Sequence, residues 1–91
     1  MLQAMVEKRR TADGEEVWAG RVYEGVRVVM RVDLPVLPPE AMASHIDGLR
    51  GAIGVGYHVP GASYDAARAF DRRMEALIRE FRRVALPASD G

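Results

Sequence analysis

The chain has 91 residues, contains no cysteine and carries thirteen basic against thirteen acidic side chains. This length predicts one domain over residues 1–91, and the lack of cysteine excludes disulfides, a thiolate nucleophile and a Cys-based metal centre. The balanced charge argues against a protein that coats nucleic acid through an excess of basic residues.

The first 34 residues predict three antiparallel strands, at about 2–10, 15–23 and 26–34. Asp13-Gly14 is a strong hairpin signal and Glu24-Gly25 a weaker one. Two-residue loops at both places collect the same apolar side chains on one face, which supports a three-stranded meander. That predicted core face consists of Leu2, Ala4, Val6, Val17, Ala19, Tyr23, Val26, Val28, Met30 and Val32.

The rest of the chain predicts two helices, at about 39–50 and 63–85, packed on that face in an α+β fold. Pro39 suits the first turn of a helix, and Ser63 is a good N-cap for the second. The second helix has an apolar stripe, which we interpret as core, with helix-mediated dimerisation as the alternative. The stripe consists of Ala67, Phe70, Met74, Leu77, Ile78, Phe81 and Val84. A frayed tail is expected at 87–91.

The opposite sheet face is the predicted partner-binding surface. The same register places Trp18 between Arg9 and Arg31, a geometry for cation–π stacking. An apolar patch rimmed by arginine is typical of protein interfaces, although a self-contained cross-strand stack is an equally good interpretation. The full predicted surface is Trp18, Arg9, Arg31, Met5, Val22, Val29 and Arg27.

A glycine-rich segment at 54–61 is the best candidate for a mobile functional loop, although a plain connector is the favoured interpretation. Its marker residues are Gly54, Gly56, Tyr57, His58 and Gly61. The segment lacks the GxGxxG pattern and the lysine of phosphate-binding loops.

Enzyme signatures are weak. His45 and His58 with a carboxylate such as Asp65 could in principle bind zinc, but no HExxH or comparable spacing is present. Ser44 and Ser63 could pair with a histidine, but no GxSxG elbow supports a nucleophile. We therefore expect no catalytic residue, no metal and no cofactor.

These observations predict a small non-enzymatic interaction module that self-associates or binds a protein partner through the Trp18 face. The alternative is a nucleic-acid-binding module that uses this Arg/aromatic face together with helix arginines such as Arg68, Arg72 and Arg79. No signal-peptide pattern and no apolar run of roughly 20 residues is visible, so we expect a cytoplasmic protein that does not bind membranes.

Overall fold

A three-stranded antiparallel sheet followed by two helices forms the fold. The computed structural model describes residues 1–87, with strands β1 (Leu2–Arg10), β2 (Glu16–Glu24) and β3 (Arg27–Pro35) paired in the order β1-β2-β3. Helix α1 spans Pro39–Gly48, two 3₁₀ turns span Leu49–Ala52 and Val55–His58, and helix α2 spans Tyr64–Ala85. The predicted α+β class and meander are confirmed. The predicted frayed tail lies, apart from Pro87, outside the described residues.

The helices begin where their capping residues predict. Pro39 starts α1, and the Ser63 hydroxyl accepts a hydrogen bond of 3.0 Å from the backbone N–H of Ala66 at the start of α2. The predicted helix at 39–50 ends earlier, at Gly48, and the chain continues as the first 3₁₀ turn. Within residues 1–87, neither helix is both long and apolar enough to cross a bilayer.

The first hairpin loop is longer than predicted. The Thr11 N–H donates to the Glu15 carbonyl at 2.7 Å, and the Gly14 N–H donates to the Thr11 carbonyl at 3.0 Å. Residues 12–14 therefore form a three-residue loop in which Gly14 takes the left-handed φ of 90°, as in hairpins built on a type I turn followed by a glycine. One extra loop residue shifts the β1–β2 register by one, so Ala4 lies opposite Val22 rather than Tyr23.

The second hairpin turns one residue later than predicted. Glu24 pairs with Arg27, so the loop is Gly25-Val26, and only Gly25 has a positive φ, 62°. Glycine at the first loop position is the pattern of a type II′ turn. A β-bulge between Val22 and Tyr23 then shifts the pairing by one more residue. Trp18 therefore lies opposite Leu34, three residues beyond its predicted partner Arg31.

Together these shifts turn β2 over. Its even-numbered residues face the helices, whereas the prediction placed Val17, Ala19 and Tyr23 there, because a register change of an odd number of residues exchanges the two faces. The core cluster of buried residues joins all three strands to both helices. It consists of Val6, Val22, Leu34, Met42, Ile46, Met74, Leu77, Ile78 and Phe81.

Gly20 is a point of close approach between α2 and the sheet. A Cβ atom added there would come within 2.5 Å of the Phe81 ring and 2.9 Å of a Leu77 methyl group. The absence of a side chain at Gly20 thus lets the two fully buried residues Leu77 and Phe81 settle directly on the central strand. We call the sheet face turned toward α2 the inner face and its reverse the outer face.

Candidate interaction surfaces

Trp18 lies on the inner face, which corrects the predicted partner-binding surface. Its half-buried side chain packs against the core cluster, and the Lys8 ammonium lies 5.0 Å from its ring centroid. Lys8 is the residue opposite Trp18 in β1. The predicted stack of Trp18 between Arg9 and Arg31 does not form, because Arg9 pairs with Val17 and Arg31 pairs with Arg21 on the outer face.

The remaining residues of the predicted surface do not form one patch. Val22 is fully buried, and the half-buried Val29 packs against the core cluster beside the bulge. Arg27 pairs with Glu24 at the end of the second hairpin. Only Met5, Arg9 and Arg31 of the seven predicted residues lie on the outer face.

The outer face is a mixed polar surface. Glu7 and Asp33 flank Ala19, which is only 2% exposed although it lies on the outer face. Arg9 forms an ion pair of 2.9 Å with Glu7 on the same strand. Alternating charges of both signs are typical of a solvated sheet face rather than of an apolar interface core.

The glycine-rich segment at 54–61 is attached to α2. The backbone N–H of Gly54 donates a hydrogen bond of 3.0 Å to the Asp71 carboxylate, and the Asp71 residue is only 8% exposed. Gly56 lies over Ala67, where an added Cβ would be 3.0 Å from the Ala67 methyl group. The predicted loop therefore crosses α2 as the second 3₁₀ turn, and whether it moves stays a prediction.

Large exposed apolar side chains concentrate around this crossing. Of the eight such residues among residues 1–87, five lie between positions 55 and 70, and we call these five the loop patch. They are Val55, Tyr57, Val59, Tyr64 and Phe70. Three of them, together with Ala52 and Gly56, line a shallow apolar cavity of about 280 Å³.

The loop patch also has an exposed aromatic pair. The rings of Tyr57 and Tyr64 lie 5.5 Å apart between centroids, tilted by 55°. Partial desolvation, and next the neighbouring Asp71 carboxylate, raise the pKa of Tyr57 above its ordinary value. Tyr57 is therefore a neutral hydrogen-bonding group at physiological pH, with an apolar ring available to a partner.

The sequence prediction missed most of this patch. The sequence predicts Phe70 in the core stripe, but Phe70 is 39% exposed, and the buried residue next to it is Asp71. The available signal was the segment from Val55 to Val59, because a glycine- and proline-bounded stretch outside any strand or long helix offers its apolar residues few places to be buried.

The two histidines lie on separate elements. His45 is exposed on α1 and His58 is exposed on the second 3₁₀ turn, while Ser63 is engaged in capping α2. Across residues 1–87, no group of three or more His, Asp or Glu side chains has an arrangement that could hold a metal ion, and this includes the set of His45, His58 and Asp65.

Comparison with known proteins returned no match for the chain among protein-family models, curated protein sequences or solved structures.

Proposed function

We propose that this chain is a small non-enzymatic interaction module that self-associates through the loop patch. The observation that carries the proposal is the concentration of five exposed apolar side chains between positions 55 and 70, three of which line one apolar cavity. The proposal keeps the interaction module predicted from the sequence. It moves the contact surface from the predicted Trp18 face to the loop patch.

The size of the patch suits an interface. Three aromatic rings and two valines, each 39–63% exposed, offer apolar area on the order of 300–500 Å², as large as the largest patch on a typical monomer. Interface cores are enriched in aromatic residues and depleted in charge. With its polar surroundings, this surface can approach the roughly 800 Å² per partner that stable association requires.

A second copy is the proposed partner because the patch carries both an apolar cavity and exposed aromatic rings, and such rings can fill such a cavity. The cavity is lined by Val55, Val59 and Phe70, and the exposed rings are those of Tyr57 and Tyr64. In a two-fold dimer each copy contributes both features to one contact, so the tyrosines of each copy can fill the cavity of the other.

The attachment of the segment to α2 lowers the cost of binding. The hydrogen bond from Gly54 to Asp71 and the contact of Gly56 with Ala67 hold the backbone that carries Val55, Tyr57 and Val59. A surface that is ordered before association loses less conformational entropy when it binds.

Sedimentation equilibrium over a range of concentrations tests the proposal with a matched pair of variants. Val59→Asp introduces a charge at a residue 50% exposed in the patch, and Met5→Asp does so at a residue 49% exposed on the outer face. We expect a dimer whose dissociation constant rises at least ~10-fold in Val59→Asp, since a buried unpaired charge costs more than 1.4 kcal/mol, and stays unchanged in Met5→Asp.

Two results would overturn the proposal. One is a wild-type protein that stays monomeric at high micromolar concentration. The other is a dimer that Met5→Asp dissociates and Val59→Asp does not. Thermal unfolding followed by circular dichroism checks that both variants are folded.

Nucleic-acid binding has less support. The outer face keeps Arg9, Arg21 and Arg31, but Trp18, its proposed stacking residue, lies on the inner face. Acidic side chains alternate with these arginines, and phosphate neutralisation normally supplies most of the affinity for nucleic acid. Action in the cytoplasm stays a prediction from the sequence.

A further inference from the structure

A second cavity, separate from the loop patch, lies between the first 3₁₀ turn and the C-terminal half of α2. It has a volume of about 240 Å³. Its lining comprises Arg50, Ile53, Glu75, Ile78, Arg79 and Arg82. We call it the arginine cleft.

The cleft concentrates positive charge, although the net charge of the chain is zero. Arg79 and Arg82 are three residues apart on α2, and Arg50 reaches the same space from the 3₁₀ turn. Asp47 forms an ion pair with Arg82, whereas no carboxylate of residues 1–87 lies within ion-pair distance of Arg50 or Arg79. Three guanidinium groups against Glu75 and Asp47 leave the cleft with one unit of positive charge.

The apolar part of the cleft comes from its two isoleucines. Ile78 belongs to the core cluster and is 3% exposed, and the half-buried Ile53 packs against that cluster. Guanidinium groups above an apolar surface suit a ligand with an anionic head and an apolar body. The single net charge matches a carboxylate, which a guanidinium binds through two parallel hydrogen bonds.

We propose that the arginine cleft binds a small organic carboxylate, with its anionic group on Arg50 and Arg79 and its apolar body on Ile53 and Ile78. Its volume is below the ~300–1,000 Å³ of sites for drug-sized ligands, so the ligand is a molecule of about the size of benzoate. This inference does not depend on self-association.

NMR titration of the full chain tests the proposal, with benzoate as the probe and benzyl alcohol as its neutral analogue. We expect saturable shifts of the Ile53 and Ile78 methyl signals with benzoate and none with benzyl alcohol. Arg79→Gln should weaken benzoate binding about tenfold, because it removes a charge-assisted hydrogen bond. Arg68→Gln, the same change at an exposed position of α2 outside the cleft, should leave the binding unchanged.

Three outcomes would overturn the proposal. They are the absence of saturable shifts with benzoate, equal shifts with benzyl alcohol, and equal weakening by Arg68→Gln and Arg79→Gln. Because Arg68 and Arg79 are both exposed, neither substitution removes a core contact, and an unchanged amide spectrum elsewhere verifies the fold.

Discussion

Gly20 and Trp18, two residues apart on β2, show how single residues shape the core between the sheet and α2. Gly20 leaves room for Phe81 and Leu77, and Trp18 packs at the side of the same core with Lys8 beside its ring. Both residues face the helix because β2 presents its even-numbered positions inward. The one tryptophan of the chain therefore belongs to the packing of the core and not to the predicted contact surface.

Gly20→Ala should destabilise the protein. The new methyl group would overlap Phe81 and a backbone carbonyl of β3, and overpacking of this kind costs about 2 kcal/mol, which lowers Tm by about 10 °C in a domain of this size. Gly48→Ala is the matched control, because no atom outside the immediate chain lies within 4 Å of its added Cβ. Thermal unfolding that gives equal Tm values for the two variants would contradict the packing of α2 on Gly20.

Trp18→Ala should act on stability and leave self-association unchanged. Removal of a half-buried indole from the edge of the core is expected to lower the free energy of unfolding by about 2 kcal/mol. Urea unfolding measures the first effect and sedimentation the second, with Arg31→Ala as the control on the outer face. A variant of normal stability that no longer associates would instead support the contact surface predicted from the sequence.

At the scale of elements, the sequence predicted the number, order and approximate bounds of the strands and helices but turned one strand over. Apolar alternation and turn residues locate strands well. The length of the first loop, the position of the second turn and the bulge after it depend on backbone conformation that the sequence does not reveal. Both predicted ladders are shifted by an odd number of residues relative to β2, the first by one residue and the second by three, of which the bulge supplies one. The two predictions therefore agree with each other although both registers are wrong. Turning over the middle strand preserved their agreement, so their consistency was not an independent test.

The loop patch was harder to predict than the sheet. Its residues come from the second 3₁₀ turn and from α2, and they meet because a buried carboxylate, Asp71, anchors Gly54. A buried polar residue needs a hydrogen-bond partner, but the sequence does not show which residue provides it. The sequence identified the segment from Gly54 to Gly61 as a candidate but could not show that it joins Tyr64 and Phe70.

Asp71→Asn should lower the pKa of Tyr57 toward its ordinary value. Desolvation is the largest cause of the raised pKa of Tyr57, and it remains in the variant. The charge of the Asp71 carboxylate is the next cause, and the substitution removes it. The side-chain oxygen of asparagine can still accept the hydrogen bond from the Gly54 N–H. NMR titration of the Tyr57 ring measures the change, with Tyr23 as an internal reference.

The same shift has a consequence for stability at high pH. Because the folded-state pKa of Tyr57 is raised above its unfolded value, its contribution to stability is present below the unfolded pKa of about 10 and is lost as pH rises through the folded pKa. Asp71→Asn should therefore reduce this loss. A Tyr57 pKa that is unchanged or higher in the variant would show that the Asp71 carboxylate does not act on the Tyr57 phenol as described.

At the scale of the whole molecule, the chain presents chemically different surfaces. The outer sheet face alternates charges of both signs, the loop patch is aromatic and apolar, and the arginine cleft is positive with an apolar floor. The sheet and the two helices share one core, so these surfaces are held in fixed relation to one another. A module that associates through one surface can therefore keep the others available.

The most direct test of the central claim is a filtered NMR experiment on a mixture of isotope-labelled and unlabelled chains, which detects only contacts between copies. We expect cross-peaks between the ring protons of Tyr57 or Tyr64 in one copy and the methyl groups of Val55 or Val59 in the other. Cross-peaks to Met5 on the outer face, or none at concentrations where sedimentation shows a dimer, would contradict self-association through the loop patch.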